Sequence, residues 1–105
     1  MTYEEFERGI KDLGFKISYS HFEEKVTPPF LCFLDDGCED FTADNKHFFS
    51  IKSGVLELYT NNKNPKIETE IEGFFNNNEI LYKKMGTVYI DSEKLYETIY
   101  NINLI

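Results

Sequence analysis

Apolar positions recur along this chain with two different periods, and the places where the period changes mark the predicted elements. Tyr3, Phe6, Ile10 and Leu13 repeat at helical spacing and form one stripe. Thr2 and Glu5 stand where the N-cap and third helical residue of a capping box would be, and Gly14 is a natural stop, so a first helix is predicted over about 3–13. The period then shortens to two. Phe15, Ile17 and Tyr19 alternate with Lys16, Ser18 and Ser20, the pattern of a half-buried strand.

Residues 21–27 are polar and irregular. Pro28-Pro29 forces extended backbone and cannot lie inside a hydrogen-bonded ladder, so it marks the entry to a second strand. Phe30 to Leu34 is apolar at every position, which fits a strand covered on both sides. An acidic stretch follows, predicted as a loop over about 35–46.

A long strand is predicted over about 47–60, with a kink or bulge at Ser53-Gly54. Leu56 and Leu58 share one of its faces. Asn64 then caps, and Pro65 opens, a second helix over about 65–76, whose stripe is Ile67, Ile71, Phe74 and Phe75. Ile80–Tyr82 and Thr87–Ile90 read as two short strands or one bent strand, with Met85-Gly86 at the turn. The last segment fits a helix through Leu95, Ile99 and Ile102 or a strand with Tyr96, Thr98, Tyr100, Ile102 and Leu104 on one face. Its Tyr, Ile and Thr content favours the strand. The expected fold is therefore α+β: a two-layer sandwich of a mostly antiparallel, mixed sheet of four to five strands, with two helices on one face and a Tyr- and Phe-bearing second face free for a neighbour. One domain spans residues 1–105.

Composition changes this picture mainly through charge. The chain has 105 residues and a net charge of −8. Gripping a phosphate backbone needs Lys and Arg in excess, so specific nucleic-acid binding is not expected. Strong negative charge suits a protein that repels its own copies before assembly, or one that faces DNA without holding it. No apolar run reaches the ~20 residues of a membrane span. The first residues are charged rather than signal-like, which predicts an intracellular product with reduced thiols.

The candidate chemistry centres on the acidic stretch. Asp35, Asp36, Glu39, Asp40 and Asp44 put five carboxylates within ten residues. They do not follow the calcium-loop spacing, so no metal is expected there. Cys32, Cys38, His21 and His47 do not have zinc spacing. A Cys38–His47 nucleophile pair would work against the acids around Cys38, which raise a thiol's pKa. No glycine-rich phosphate loop is present. The expectation is a non-enzyme with no cofactor and no metal.

Three segments carry a family likeness. PPFLCFLDDGCEDFTADNKHFF, GVLELYTNNKNPKIETEIEGFF and SEKLYETIYNINLI, in that order, resemble small tail proteins of long-tailed phages and prophages of low-GC Gram-positive bacteria. The likeness covers about residues 26–105. It implies a tail terminator or tail-to-head joining protein, also called a tail completion or minor tail protein. Such proteins have a sheet backed by helices, are often monomeric in solution, and form a hexameric ring on the tail tube that ends its polymerisation and meets the head–tail connector. The implied place is the virion tail, after synthesis in the bacterial cytoplasm. DNA would pass through the ring lumen, and no membrane is involved. Cys32 and Cys38 have no role in that likeness.

Within it, Asp35, Asp36, Gly37, Cys38, Glu39, Asp40, Phe41, Thr42, Ala43, Asp44 and Asn45 form the expected assembly loop, with Phe41 as an aromatic anchor or a residue folded back on the core. The competing reading of the charge is a small acidic cytosolic inhibitor, antitoxin-like or mimicking DNA.

Overall fold

A computed structural model describes the backbone of residues 1–43 and 46–104, and the side chains of 1–35 and 53–104. The elements run α1 (Tyr3–Asp12), β1 (Lys16–Tyr19), β2 (Phe30–Ala43), β3 (Lys46–Thr60), α2 (Pro65–Asn77), β4 (Leu81–Ile90) and β5 (Leu95–Leu104). The five strands make one mixed sheet in the order β1-β2-β3-β5-β4, with β1 parallel to β2 and the other pairs antiparallel. This is the expected α+β sandwich, with both helices on one face.

Local signals act as their chemistry requires. The Thr2 hydroxyl accepts from the Glu5 amide at 3.1 Å while the Glu5 carboxylate accepts from the Thr2 amide at 3.0 Å, closing the capping box. Gly14 ends the first helix at φ 98°, where a side chain would be strained. Asn64 caps α2 by accepting from the Ile67 amide at 3.2 Å, with Pro65 in its first turn.

The core lies between the helices and the sheet. Phe6 and Ile10 from α1 and Ile71 and Phe75 from α2 meet Leu31, Phe33, Leu56, Leu58, Tyr100 and Ile102. Aromatic rings dominate it: Phe75 packs on Phe6, Tyr82 and Tyr100, with centroids 4.9–6.3 Å apart. Two glycines admit these rings. A Cβ at Gly9 would lie 2.3 Å from the Phe74 ring, which lets α1 and α2 approach. A Cβ at Gly54 would lie equally close to the Phe33 ring.

Among the described residues the ladders carry three register slips, one of them between Phe41 and Thr42 where β2 pairs with β3. In β2 the register slips between Asp35 and Gly37, so Asp36 is extra, opposite Gly54 and Ser53. The expected kink at Ser53-Gly54 is at the right level but on the partner strand. In β4 the register slips between Lys84 and Gly86, and Gly86 takes φ 113°. Met85-Gly86 is thus a bulge within one bent strand, not a turn between two. The final segment is a strand, with Leu95, Thr98, Tyr100, Ile102 and Leu104 buried. No helix among the described residues is long and apolar enough to cross a membrane.

Candidate assembly surface

The acidic loop is not a loop. Asp35, Asp36, Gly37, Cys38, Glu39, Asp40, Phe41, Thr42 and Ala43 continue β2 and pair with β3 as far as Ala43–Lys46. The correction has a physical reason: ladder hydrogen bonds are made by the backbone, so a polar, charged segment joins a sheet when a partner strand lies alongside. Asp44 and Asn45 lie outside the described residues, and so do the side chains from Asp36 to Lys52. The Phe41 alternatives and the Cys38–His47 pairing fall there.

This extension forms an arm. β1 pairs with β2 only over Phe30–Phe33, and β5 pairs with β3 only from Lys52 onward. Beyond those limits the two strands pair with each other alone among the described residues. The molecule measures 52 × 26 × 24 Å with a radius of gyration of 14.8 Å, longer than the ~13 Å of a compact chain of about 100 residues.

On the side of the sheet away from β1, β4 is the outer strand and has no partner on its outer edge among the described residues. Leu81, Met85, Val88 and Tyr89 are each 50–59% exposed there. β4 carries Lys83 and Lys84 and no carboxylate, in a chain with 19 acidic residues and 11 basic ones. Long exposed strand edges with this apolar content are a template for pairing with another chain.

Two polar networks flank the β3–β5 pair, one on each face. On the helix side, Glu68 is 3% exposed and held by Lys63 at 2.8 Å and by Lys84. Burial alone would raise its carboxyl, but the two ammonium groups outweigh it and hold it below the usual range. Lys84 also meets Glu72 at 3.1 Å, and Glu72 accepts from the Tyr100 hydroxyl at 2.7 Å. Lys63 reaches Thr87 at 2.9 Å, and Thr87 pairs with buried Thr98 at 2.9 Å. The buried Glu68 was not anticipated. Its spacing to Ile71 and Phe75 places it on the inner stripe of α2, a signal that its charge obscured.

On the open face, Phe30 stacks on Tyr59 at 4.9 Å, and Tyr59 donates to Glu97 at 2.7 Å with Glu57 at 3.3 Å. Burial raises the Glu57 carboxyl, and the charge and hydrogen bond of Glu97 raise it further. Cys32 is buried beside this pair. Burial, then the Glu57 and Glu97 charges, pushes its thiol up to about 11, so it is a poor nucleophile near neutrality. His21 sits elsewhere, exposed, with Glu23 at 3.2 Å. Among the described residues no three His, Cys, Asp or Glu side chains are grouped to hold a metal ion.

A scan against protein-family models finds no match, and a search of curated proteins finds none.

Proposed function

We propose that this chain is a structural subunit of a long-tailed phage or prophage, assembling as a ring at the head-proximal end of the tail tube. There it ends tube polymerisation and joins the tail to the head connector. The carrying observation is the acidic β2–β3 arm, which extends past its neighbours on both sides and has no role in closing the sheet.

The ordered likeness of residues 26–105 to small tail proteins supports the same reading. So does the net charge of −8, which keeps copies apart before a template is met and lets DNA pass a lumen without adhering. The partners are further copies of the chain, the tail tube protein and the connector, and the location is the virion tail.

The test is electron microscopy of the purified protein, alone at high concentration and mixed with polymerised tail tubes. Six-fold rings and capped tubes are expected. Tight binding to a basic DNA-binding protein, with no rings and no capping, would overturn the reading in favour of an acidic inhibitor. Deleting Asp36 to Asp44 is expected to remove the strand signal of the arm from the circular dichroism spectrum, leave cooperative unfolding of the core and abolish assembly.

A further inference from the structure

Among the described residues, edges without a partner strand remain on β1, on β2 beyond β1, on β3 beyond β5 and on β4, and the two longest, those of β2 and β4, have opposite chemistry. One is the outer edge of β2 beyond β1, the ten residues Leu34–Ala43, with Asp35, Asp36, Glu39 and Asp40 and no cation. The other is the outer edge of β4, the ten residues Leu81–Ile90, with Lys83 and Lys84 and no anion. Apart from the Asp35 amide, which donates to the Tyr19 hydroxyl at 3.3 Å, each presents a row of backbone donors and acceptors that a strand of the same length would satisfy.

We propose that the β4 edge of one copy receives the β2–β3 arm of a second copy as an added strand. This rests on the ring reading above and names the surfaces that make the ring.

Charge decides the pairing. The β2 edge against its own copy would oppose four carboxylates to four, β4 against β4 would oppose lysines to lysines, and the β3 edge of the arm offers only the six residues Lys46–Ile51, with one lysine, against the ten of β4. Like charges set directly opposite are destabilising, so both self-pairings are disfavoured. Arm against β4 brings acids to lysines. Lys84 is already engaged with Glu68 and Glu72, whereas Lys83 is exposed and has no acidic partner among the described residues. Leu81, Met85 and Val88, each more than half exposed, lose water when a strand covers this edge. Because the two patches differ, the contact is heterologous. It repeats head to tail and closes into a ring when the rotation permits.

The native arm carries a useful thiol. Val88→Cys places a second one on the β4 edge, at a side chain that is 51% exposed. Mild oxidation at concentrations that give self-association, or on tail tubes, is expected to produce a ladder of dimers, trimers and higher species on non-reducing gels. Mass spectrometry should find the introduced thiol joined to Cys38, and Cys38→Ser should abolish the ladder. Lys83→Cys serves as a second position. Lys83→Glu is expected to weaken self-association at least about tenfold, with recovery when Asp36, Glu39 and Asp40 are changed to lysine.

Dimers that persist in the Cys38→Ser background would mean that β4 pairs with itself, and would overturn the proposal. Rings that form with no crosslink at either position would overturn it while leaving the ring reading intact. A ladder from open filaments that never cap tubes would uphold the arm contact and sink the ring reading. Failure to self-associate under any condition would sink both.

Discussion

The ring of Phe33 lies over the bare Cα of Gly54 on the adjacent strand, so close that a Cβ there would sit 2.3 Å from Cζ and 3.2 Å from the Leu34 carbonyl oxygen. Phe33 is 2% exposed and packs against Phe6 and Tyr3, so its ring has no free direction in which to move. Gly54→Ala is therefore expected to destabilise the fold by about 1–3 kcal/mol, although alanine ordinarily suits a strand better than glycine. Urea denaturation measures it, and an unchanged or higher midpoint would show that the core yields there.

Gly9 makes the same kind of contact with Phe74, and the outcome differs. Phe74 is only partly buried, so its ring has room to turn. Gly9→Ala gains about 1 kcal/mol of helix propensity against the displacement of one ring, and a net change within about 1 kcal/mol is expected. A loss as large as that at Gly54 would mean the two helices have no slack between them.

Glu68 and Glu57 make opposite contributions to pH dependence. The Glu68 carboxyl is lower in the fold than in the unfolded chain, so its contribution is fully present above the unfolded value and is lost as pH falls through the folded one. Glu68→Gln is expected to be less stable than the parent at pH 7, by about 1–3 kcal/mol for a buried hydrogen-bonded charge. The gap should narrow below about pH 4.

Glu57 runs the other way. Its carboxyl is raised, so the fold binds a proton that the unfolded chain has released, and the stability this gives is lost as pH rises through the folded value. Glu57→Gln is expected to match or exceed the parent at pH 7, by up to about 1 kcal/mol, and to lose that advantage toward pH 4. Chemical denaturation at several pH values reads both variants. A Glu57→Gln protein less stable than its parent at neutral pH would show that the Tyr59–Glu57–Glu97 cluster stabilises the charged state instead.

Cys32 gives a kinetic test of the open face. It is 5% exposed with its thiol raised to about 11, so iodoacetamide at pH 7.5 is expected to leave it unmodified in the native protein and to label it in urea. Peptide mass mapping distinguishes it from Cys38. Rapid native labelling would mean that the sheet opens around β2.

Where sequence and structure agree, the deciding information was local. The capping box of α1 and the Phe6 and Ile10 positions of its stripe lie within one or two turns, although Leu13, expected on that stripe, is the exposed C-cap. The alternation from Thr98 to Leu104 needs no knowledge of its neighbours, although Leu95 is buried in place of the expected Tyr96. Where they part, the information was not local. Asp35–Ala43 looks like a loop by side-chain polarity, yet its conformation is set by Lys46–Thr60 lying antiparallel to it. The acidic stretch could be singled out in advance, but not its form as an arm. The edge position of β4 follows from β5 inserting between β3 and β4, a fact of strand order that no window of sequence contains. Glu68 was hidden because its lysine partners come from the turn before α2 and from β4.

The single extra residue in β4 has a consequence for wiring. In a regular strand, positions 84 and 87 fall on opposite faces, because three is odd. The slip at Met85-Gly86 resets the phase, so Lys84 and Thr87 both look toward the helices. One reaches Glu68 directly and the other reaches it through Lys63, which ties both halves of the edge strand to α2 through one carboxylate. Deleting Met85 would shorten the strand by one residue and also turn one of those two connections outward, unfastening half of the edge from the helix behind it.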